Sequence, residues 1–289
     1  MATKTFKLNT GADIPALGLG TWQGESTLVK DAVVAALKAG YRLIDTAYCY
    51  GNEEHVGAGL KEAFDQGIVK REDVFVVTKL WATYASRAEV GLEKSLRNLG
   101  LEFPKLPNGE RDILRDYSHI QIWKNMEKLV ESGKTKAIGV SNYSKRYLEE
   151  LLPHATIVPA VNQIENHPQL PQQEIVDFCK EKGIHIMAYS PFGSTGSPVT
   201  SAEPVVKVAE KHGVKPTTVL LSYHLYRGST VLPKSTNPDR IEANAKLIEL
   251  DAEDQKLLND YSEQLVKEGK VQRYIYPPFG VDFGFPDKS

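Results

Sequence analysis

Three side chains in the first third of the chain have the types and spacing of a proton donor. Asp45 ends a short apolar run, Tyr50 lies five residues later, and Lys79 ends the next such run. The phenol of tyrosine has a pKa of about 10 and is a poor acid at neutral pH, but an adjacent ammonium lowers that pKa. A carboxylate beside the lysine would hold the ammonium in place, so the trio predicts a general acid that protonates an oxyanion. The alternative is an ordinary buried ion pair between Asp45 and Lys79 with a tyrosine beside it.

A second candidate site follows the last predicted strand. The segment Leu232–Ile241 contains Lys234 and Arg240, and Pro238 suits the first turn of a helix. Basic residues at a helix start attract phosphate, and barrels often hold phosphate at this loop. The alternative is a solvated loop with ordinary charges, which is the commoner case for such a segment in isolation.

Other chemically suggestive residues have weaker patterns. Trp22 and Trp81 each follow a strand end, where they would either line an apolar pocket or serve only in packing. The Gly18-Leu-Gly20 pattern lacks the third glycine of a Rossmann fingerprint, because Gln23 stands there. His167 is predicted to be a packed loop histidine, and the remaining histidines show no metal-ligand spacing, so no metal site is expected.

The elements that position these residues alternate between two periods. Short apolar runs of strand length are followed by helical spacing, as in the stripe from Val29 to Leu37 after Ser26, a candidate N-cap. This pattern predicts an α/β fold with a parallel sheet covered by helices and with reactive groups at the carboxyl ends of the strands. The predicted strands are Ala16–Gly20, Tyr41–Asp45, Val74–Lys79, Lys134–Val140, Ile157–Gln163, Ile184–Tyr189 and Ser229–Leu232.

The strand spacing has one gap. The third strand starts near residue 73 and the fourth near residue 134, an interval that holds two predicted helices, at about 87–99 and 120–131. A repeating strand-helix unit requires a strand between those helices. The sequence there, Gly100–Glu110, has two prolines, an Asn-Gly and no apolar run. Seven strands are therefore predicted where an eight-stranded barrel requires eight.

Composition excludes several classes of protein. The 289 residues carry a net charge of −2 with 25% charged residues, which disfavours a polybasic protein that binds nucleic acid or a membrane surface. No run of 18 apolar residues suggests a spanning helix, and the N-terminus has no signal-peptide pattern. Two cysteines indicate a reducing, cytoplasmic compartment. No linker divides the chain, so one domain over residues 1–289 is expected.

Three longer motifs, in chain order, resemble the aldo-keto reductases. They are Gly40–Glu53 continuing to Val56-Gly57, then Ala137–Tyr143, then Leu232–Ser235. The resemblance runs from about Thr5 to the C-terminus with one interruption. The closing segment Tyr276–Pro286 is similar to the fungal glycerol dehydrogenase, erythrose reductase and xylose reductase group.

The resemblance implies a (β/α)8 TIM barrel with an N-terminal hairpin at about Phe6–Ile14. It implies an NADPH/NADP-dependent reductase without metal or flavin, present as a monomer or homodimer. The substrates would be small aldehydes and aldoses such as glyceraldehyde, erythrose and pentoses, reduced to polyols, or polyols such as glycerol in the reverse direction. Nucleic acid and membranes are not expected as partners.

The resemblance also implies residue roles. Tyr50 would be the general acid, tuned by Lys79 and Asp45, and Trp22 and Trp81 would shape the substrate pocket. The residues implied to hold the cofactor are Thr21, Trp22 and Asp45, then Ser141, Asn142 and Gln163 at the carboxamide, Tyr189 on the nicotinamide ring, Ser190 and Phe192 at the pyrophosphate, Lys234, Ser235 and Arg240 at the 2′-phosphate, and Asn244 at the adenine.

The chain departs from the family at the predicted gap. The family's fourth strand ends in a His-Trp-Pro segment whose histidine completes the catalytic tetrad, and this chain passes from Leu99 to Phe103 without it. His119 is not expected to replace that histidine. Three outcomes are open: Leu101–Leu106 partly fills the gap, the flanking strands pair directly, or the chain is a splice or gene-model variant that does not fold. A further alternative is an NADP-binding barrel with little turnover, acting as a sensor or partner subunit.

Overall fold

In the computed structural model, which describes residues 4–100, 118–276 and 282–288, strands alternate with helices along most of the chain. The strands are β1 (Thr5–Lys7), β2 (Asp13–Pro15), β3 (Leu19–Gly20), β4 (Leu43–Asp45), β5 (Phe75–Val77), β6 (Val140–Ser141), β7 (Val161–Glu165), β8 (His185–Tyr189) and β9 (Thr230–Leu232). The helices are α1 (Ser26–Lys38), α2 (Glu53–Asp65), α3 (Ala88–Asn98), α4 (His119–Glu131), α5 (Lys145–Leu151), α6 (Gln173–Glu181), α7 (Glu203–His212), α8 (Pro216–Tyr226), α9 (Pro238–Asn244) and α10 (Ala252–Lys267).

Seven strands, β3 to β9, form a parallel ring in the described part of the chain. One arc has the order β3-β4-β5 and the other has the order β6-β7-β8-β9. Parallel bridges from Leu17 to Val231 and from Gly20 to Lys234 join β3 to β9. The order in the described residues is therefore β5-β4-β3-β9-β8-β7-β6, and each of the seven predicted strands is found there as part of this parallel arrangement.

The ring is open between β5 and β6 over the residues that the structure describes. No ladder joins these two strands, so the expectation that the strands flanking the gap pair directly is not met there. All three residues of β5 are half-buried, whereas all three of β4 are buried. Leu101–Leu106, the segment considered as a filler of the gap, lies outside the described residues.

Two boundaries differ from the sequence prediction. Ser26 is the first residue of α1 rather than its N-cap, because the Glu25 carbonyl accepts the amide hydrogen bonds of Leu28 and Val29 and so occupies the cap position. The strand predicted over Lys134–Val140 is reduced to Val140 and Ser141. The Lys134 ammonium lies 2.6 Å from two carboxylates of α3, so the start of this segment contacts that helix.

Helices α3 and α4 pack together outside the open side of the ring. The Lys134 Nζ contacts Glu89 and Glu93 of α3, both at 2.6 Å. The Asn125 amide of α4 donates to the carbonyl of Ala85 at 3.1 Å. These contacts connect the two arcs on the outside, at the place where the ladder between them is open.

The N-terminal hairpin closes one end of the ring, as the sequence resemblance predicted. Strands β1 and β2 pair antiparallel, with Phe6 opposite Ile14. Ile14 is fully buried in an apolar cluster with residues of three ring strands, Leu43, Met187 and Leu232. The polar residues that the sequence singled out lie at the opposite end of the ring, where the carboxyl ends of the strands are. None of the described helices is long and apolar enough to cross a membrane.

Shortening Ile14 should destabilise the fold strongly, because the cavity would open in a cluster shared by the hairpin and the ring. Ile14→Ala is expected to lower the free energy of unfolding by about 2–5 kcal/mol, and the matched change Ile14→Val by about 0.5–1.5 kcal/mol. Urea unfolding followed by circular dichroism measures both. Equal, small effects for the two variants would show that the hairpin does not plug the ring.

Candidate active site

The candidate acid and its partners gather at the carboxyl ends of neighbouring strands. Asp45 ends β4, and the 3-10 turn Tyr48–Tyr50 follows it. In the parallel register Asp45 lies opposite Val77, so Lys79, two residues beyond β5, lies at the same end. The folded chain therefore brings together the three residues that the sequence singled out.

Asp45 is the most heavily bonded side chain of this group. Its two carboxylate oxygens each lie 2.8 Å from the Lys79 Nζ, and Oδ1 also accepts from the Gln163 Nε2 at 2.8 Å. The Lys79 Nζ donates further to the Thr46 carbonyl at 3.0 Å. Asp45 is only 4% exposed, so its charge depends on these partners. The carboxylate thus fixes the lysine of one arc and the glutamine of the other.

Tyr50 lies against the same lysine. The Lys79 ammonium lies 5.0 Å from the centre of the Tyr50 ring, close enough to act on the phenol electrostatically. Burial raises the pKa of Tyr50, and Lys79 opposes that shift without cancelling it. Lys79 therefore acts on the tyrosine pKa in the predicted direction, but desolvation of the phenolate outweighs this attraction. Burial lowers the pKa of Lys79, but Asp45 and Tyr50 together raise it above its usual value.

Polar groups of β6, β7 and β8 face the same end of the ring. The Ser141 hydroxyl donates to the Gln163 carbonyl at 3.1 Å, and the Tyr189 hydroxyl donates to the Asn142 Oδ1 at 2.9 Å. Asn142 and Ser190 have φ values of 60° and 49°, in the left-handed region that such residues seldom adopt. Backbone strain of this kind at strand ends is typical of functional sites.

The basic segment lies where the last strand passes into α9. Pro238 begins that helix as predicted, and Asn237 caps it through the Arg240 amide. Lys234 and Arg240 are exposed, and no ion pair to either is found among the described residues. Lys234 and Ser235 share a cleft with Thr21, which donates to the Asp45 carbonyl at 3.0 Å. This cleft connects the basic segment to the acid group.

The remaining predicted residues differ in their solvent exposure. Asn244 is 7% exposed at the end of α9, and Phe192 packs half-buried between two apolar clusters. Trp22 is 40% exposed, and Trp81 is half-buried with a partner of its own. The pocket role of both tryptophans stays a prediction.

The two histidines considered in the sequence do not adjoin the acid. His167 is fully buried, with Nε2 3.0 Å from the Glu165 carboxylate, which confirms a packed loop histidine. His119 packs against the rings of Tyr143 and Tyr147, and its Nε2 lies 3.7 Å from Glu150. Neither takes the place of a histidine beside Tyr50.

Sequence analysis missed the structural role of Glu165. This fully buried carboxylate accepts the backbone amides of Tyr274 and Ile275, each at 2.8 Å, as well as the His167 ring nitrogen. It therefore anchors the chain before residue 277 at the carboxyl end of β7. The only sequence signal was its position, two residues after Gln163 on the same strand.

Comparison with known proteins gives one consistent result. The model of the "Aldo/keto reductase family" matches residues 16–263. A D-galacturonate reductase of Hypocrea jecorina is 64% identical over an aligned length of 310 residues, covering 100% of both chains. The glycerol 2-dehydrogenase (NADP(+)) of Saccharomyces cerevisiae is 42% identical over 97% of each chain.

Solved structures agree with the sequence matches. An aldo-keto reductase complexed with NADPH superposes with a TM-score of 0.84 and 34% identity, covering 95% of this chain and 90% of that one. A Bombyx mori aldo-keto reductase in complex with NADP also gives 0.84, with 33% identity and 96% of each chain. The parallel ring with its hairpin therefore has the (β/α)8 barrel architecture of these proteins.

The ion pair between Asp45 and Lys79 should be energetically coupled. Asp45→Ala leaves the ammonium without its counter-charge and is expected to cost up to about 3–5 kcal/mol of unfolding free energy. The double variant with Lys79→Met should cost less than the sum of the two single changes, by about 0.5–3 kcal/mol. Urea unfolding of all four proteins gives the coupling, and strictly additive losses would mean that the pair is not formed.

Proposed function

The chain belongs to the aldo-keto reductase family, and we propose that it reduces the open-chain aldehyde of a sugar or sugar acid to an alcohol. It is an oxidoreductase that uses NADP(H). The observation that carries the proposal is the Tyr50 ring 5.0 Å from the Lys79 ammonium, which is held by both oxygens of Asp45. That arrangement provides a half-buried acid at the mouth of the ring.

Reduction of a carbonyl needs a hydride at carbon and a proton at oxygen. NADPH supplies the hydride when it is bound. The Tyr50 hydroxyl donates the proton to the carbonyl oxygen, which forms the alcohol O–H and leaves a phenolate. Lys79 stabilises that phenolate because its ammonium lies beside the phenol and favours the charged form. Asp45 keeps the ammonium charged and in place.

The described residues fit NADPH. Lys234 lines the cleft and is exposed, and Arg240 is a second exposed cation six residues later, so the segment offers two cations to a 2′-phosphate. Asn142, in its left-handed conformation, and Ser141 lie beside Gln163 and are proposed to hold the carboxamide. The other proposed contacts with the cofactor are Thr21 and Trp22 at the ribose, Tyr189 at the nicotinamide, Ser190 and Phe192 at the pyrophosphate, Ser235 at the 2′-phosphate and Asn244 at the adenine.

The substrate class follows from the most similar sequences reported above. The relative with 64% identity is named D-galacturonate reductase, so D-galacturonate is the first substrate to test. The relative named glycerol 2-dehydrogenase supports smaller substrates. Glyceraldehyde, erythrose and pentoses are further proposed substrates, on the sequence resemblance alone. Oxidation of polyols such as glycerol is the reverse of the same reaction.

The barrel is proposed to lack its fourth strand. The alignment with the D-galacturonate reductase extends over 310 residues although this chain has 289. The ladder between β5 and β6 is open in the described residues, and β6 has only two residues. The gap in the strand pattern falls at residues 101–117, which lie outside the described chain. The family's catalytic histidine is absent from the same part of the sequence.

A second candidate function is an NADP-binding barrel with little or no turnover. It is favoured by the surroundings of Tyr50, whose strongest electrostatic neighbours are Lys79, Asp45 and Cys49 rather than a histidine. Such a protein would bind NADPH but would not consume it with an aldehyde.

Removing the Tyr50 hydroxyl should abolish the reaction but not cofactor binding. Tyr50→Phe is expected to lower kcat for NADPH oxidation with D-galacturonate by about 10²–10⁴-fold, the usual contribution of a general acid. Absorbance at 340 nm measures the rate, and quenching of intrinsic fluorescence measures NADPH binding. The matched control Tyr226→Phe alters an exposed tyrosine and should be without effect. NADPH binding without turnover in the unaltered protein would establish the second candidate instead.

The pH profile of reduction should follow the raised pKa of Tyr50. The protonated phenol is the active form, so a raised pKa extends activity upward in pH. We expect kcat/KM for the aldehyde to stay level through neutral pH and to fall only above about pH 10, the ordinary tyrosine value. Loss of activity centred near pH 7 or 8 would contradict Tyr50 as the donor in its observed surroundings.

A further inference from the structure

We propose that Lys94 of α3 is a positioning residue for the proton donor, because it holds the turn Tyr48–Tyr50 through the side chain of Tyr48. The inference rests on the proposed function and adds to it a residue outside the acid group. It concerns the helix that directly precedes the proposed deletion.

Lys94 joins two tyrosines from different loops. Its Nζ lies 3.2 Å from the Tyr48 hydroxyl and 2.6 Å from the Tyr84 hydroxyl. It also lies 5.3 Å from the centre of each ring, and the two rings meet edge to face at 5.4 Å. One ammonium thus makes two charge-assisted hydrogen bonds to tyrosines of different loops, which is more than an exposed ion pair supplies.

The turn that this cluster holds has few other restraints. Its backbone hydrogen bonds run from the Tyr50 amide to the Ala47 carbonyl and from the Gly51 amide to the Tyr48 carbonyl. No side-chain hydrogen bond caps it. Because Tyr48 begins the turn and Tyr50 ends it, fixing the Tyr48 ring limits how the Tyr50 hydroxyl can move relative to Lys79.

Helix α3 is itself placed by close packing. A Cβ on Gly57 of α2 would lie 2.5 Å from the Leu99 main chain, so glycine there allows α3 to approach α2. A Cβ on Gly91 would lie 2.7 Å from the Tyr84 Cβ, so glycine there lets Tyr84 approach α3 one turn before Lys94. A glycine inside a helix costs about 0.5–1 kcal/mol relative to alanine, and this close approach explains its presence.

The start of α2 is tied to the same helix. The Asn98 amide of α3 donates to Glu53 at 3.0 Å, and the Thr78 hydroxyl donates to the same carboxylate at 2.6 Å. Glu53 follows the turn by three residues. Both ends of the segment from Tyr48 to Glu53 are therefore attached to α3, at Lys94 and at Asn98.

The charge of Lys94 is secure at neutral pH. The hydrogen bond that Lys94 donates to the Tyr84 hydroxyl raises the pKa of Lys94, although partial burial opposes it. Tyr48 has a lowered pKa, caused first by the hydrogen bond from Tyr84 and also by Lys94. The Lys94 ammonium therefore stays hydrogen-bonded to both tyrosines at neutral pH.

The test replaces Lys94 with a neutral side chain of similar length. Lys94→Met is expected to lower kcat for D-galacturonate reduction by about 10- to 100-fold, since small misplacements of a reacting group have effects of this size. KM and the Kd for NADPH should stay unchanged, with rates normalised to bound NADPH. The solvent deuterium isotope effect on kcat should rise, because proton transfer becomes slower, and Lys94→Arg should recover most of the rate.

A second measurement does not need turnover. Hydrogen exchange of a peptide covering residues 46–52 should be faster in Lys94→Met than in the unaltered protein. The control Lys61→Met removes an exposed lysine that pairs only with Asp65 on the surface of α2, and should change neither exchange nor rate.

The outcomes separate the two proposals. Turnover with unchanged kcat and isotope effect in Lys94→Met overturns the positioning role and leaves the reductase function standing. An inactive unaltered protein overturns the proposed function, and the exchange experiment then decides the role of Lys94 alone. Unchanged exchange in residues 46–52 contradicts that role whatever the activity.

Discussion

The buried carboxylate of Asp45 is the constraint on which the rest of the site depends. An isolated charge in this position would be too costly, so both oxygens are bonded to Lys79 and one also to Gln163. Lys79 follows a strand of one arc of the ring, and Gln163 belongs to the other arc. The bonds that satisfy Asp45 therefore also connect the two arcs across the mouth of the barrel and set the lysine against Tyr50.

The open side of the ring explains why contacts outside the sheet matter in this chain. Without a ladder between β5 and β6 in the described residues, the arcs are linked by the β3–β9 bridges, by Asp45 with Gln163, and by the packing of α3 on α4. Lys134 strengthens the last of these links by pairing with two glutamates of α3. The same helix, α3, contacts the turn that carries the proton donor. One helix therefore supports both the open side of the ring and the candidate site.

The sequence predicted the strands and the residues of the acid group because each has a local signal, whereas the hairpin was implied by the family resemblance. Apolar runs, helical spacing and strand-end polar residues suffice to find Asp45, Tyr50 and Lys79. The sequence could not predict the direction of the Tyr50 pKa, since burial depends on the whole fold and here outweighs the lysine.

Contacts between distant parts of the chain were likewise missed. The bond from Gln163 to Asp45 joins residues 118 positions apart, and Lys94 reaches Tyr48 across 46 positions. The strand over Lys134–Val140 was overpredicted because the sequence pattern does not show that Lys134 pairs with glutamates of α3.

The most direct test of the proposed reaction follows the transferred hydride. The chain is incubated with D-galacturonate and NADPH deuterated at the transferred position, and the product is analysed by mass spectrometry. The account predicts the corresponding alcohol with one deuterium on the former aldehyde carbon, whereas unchanged sugar acid in the presence of bound NADPH would contradict it.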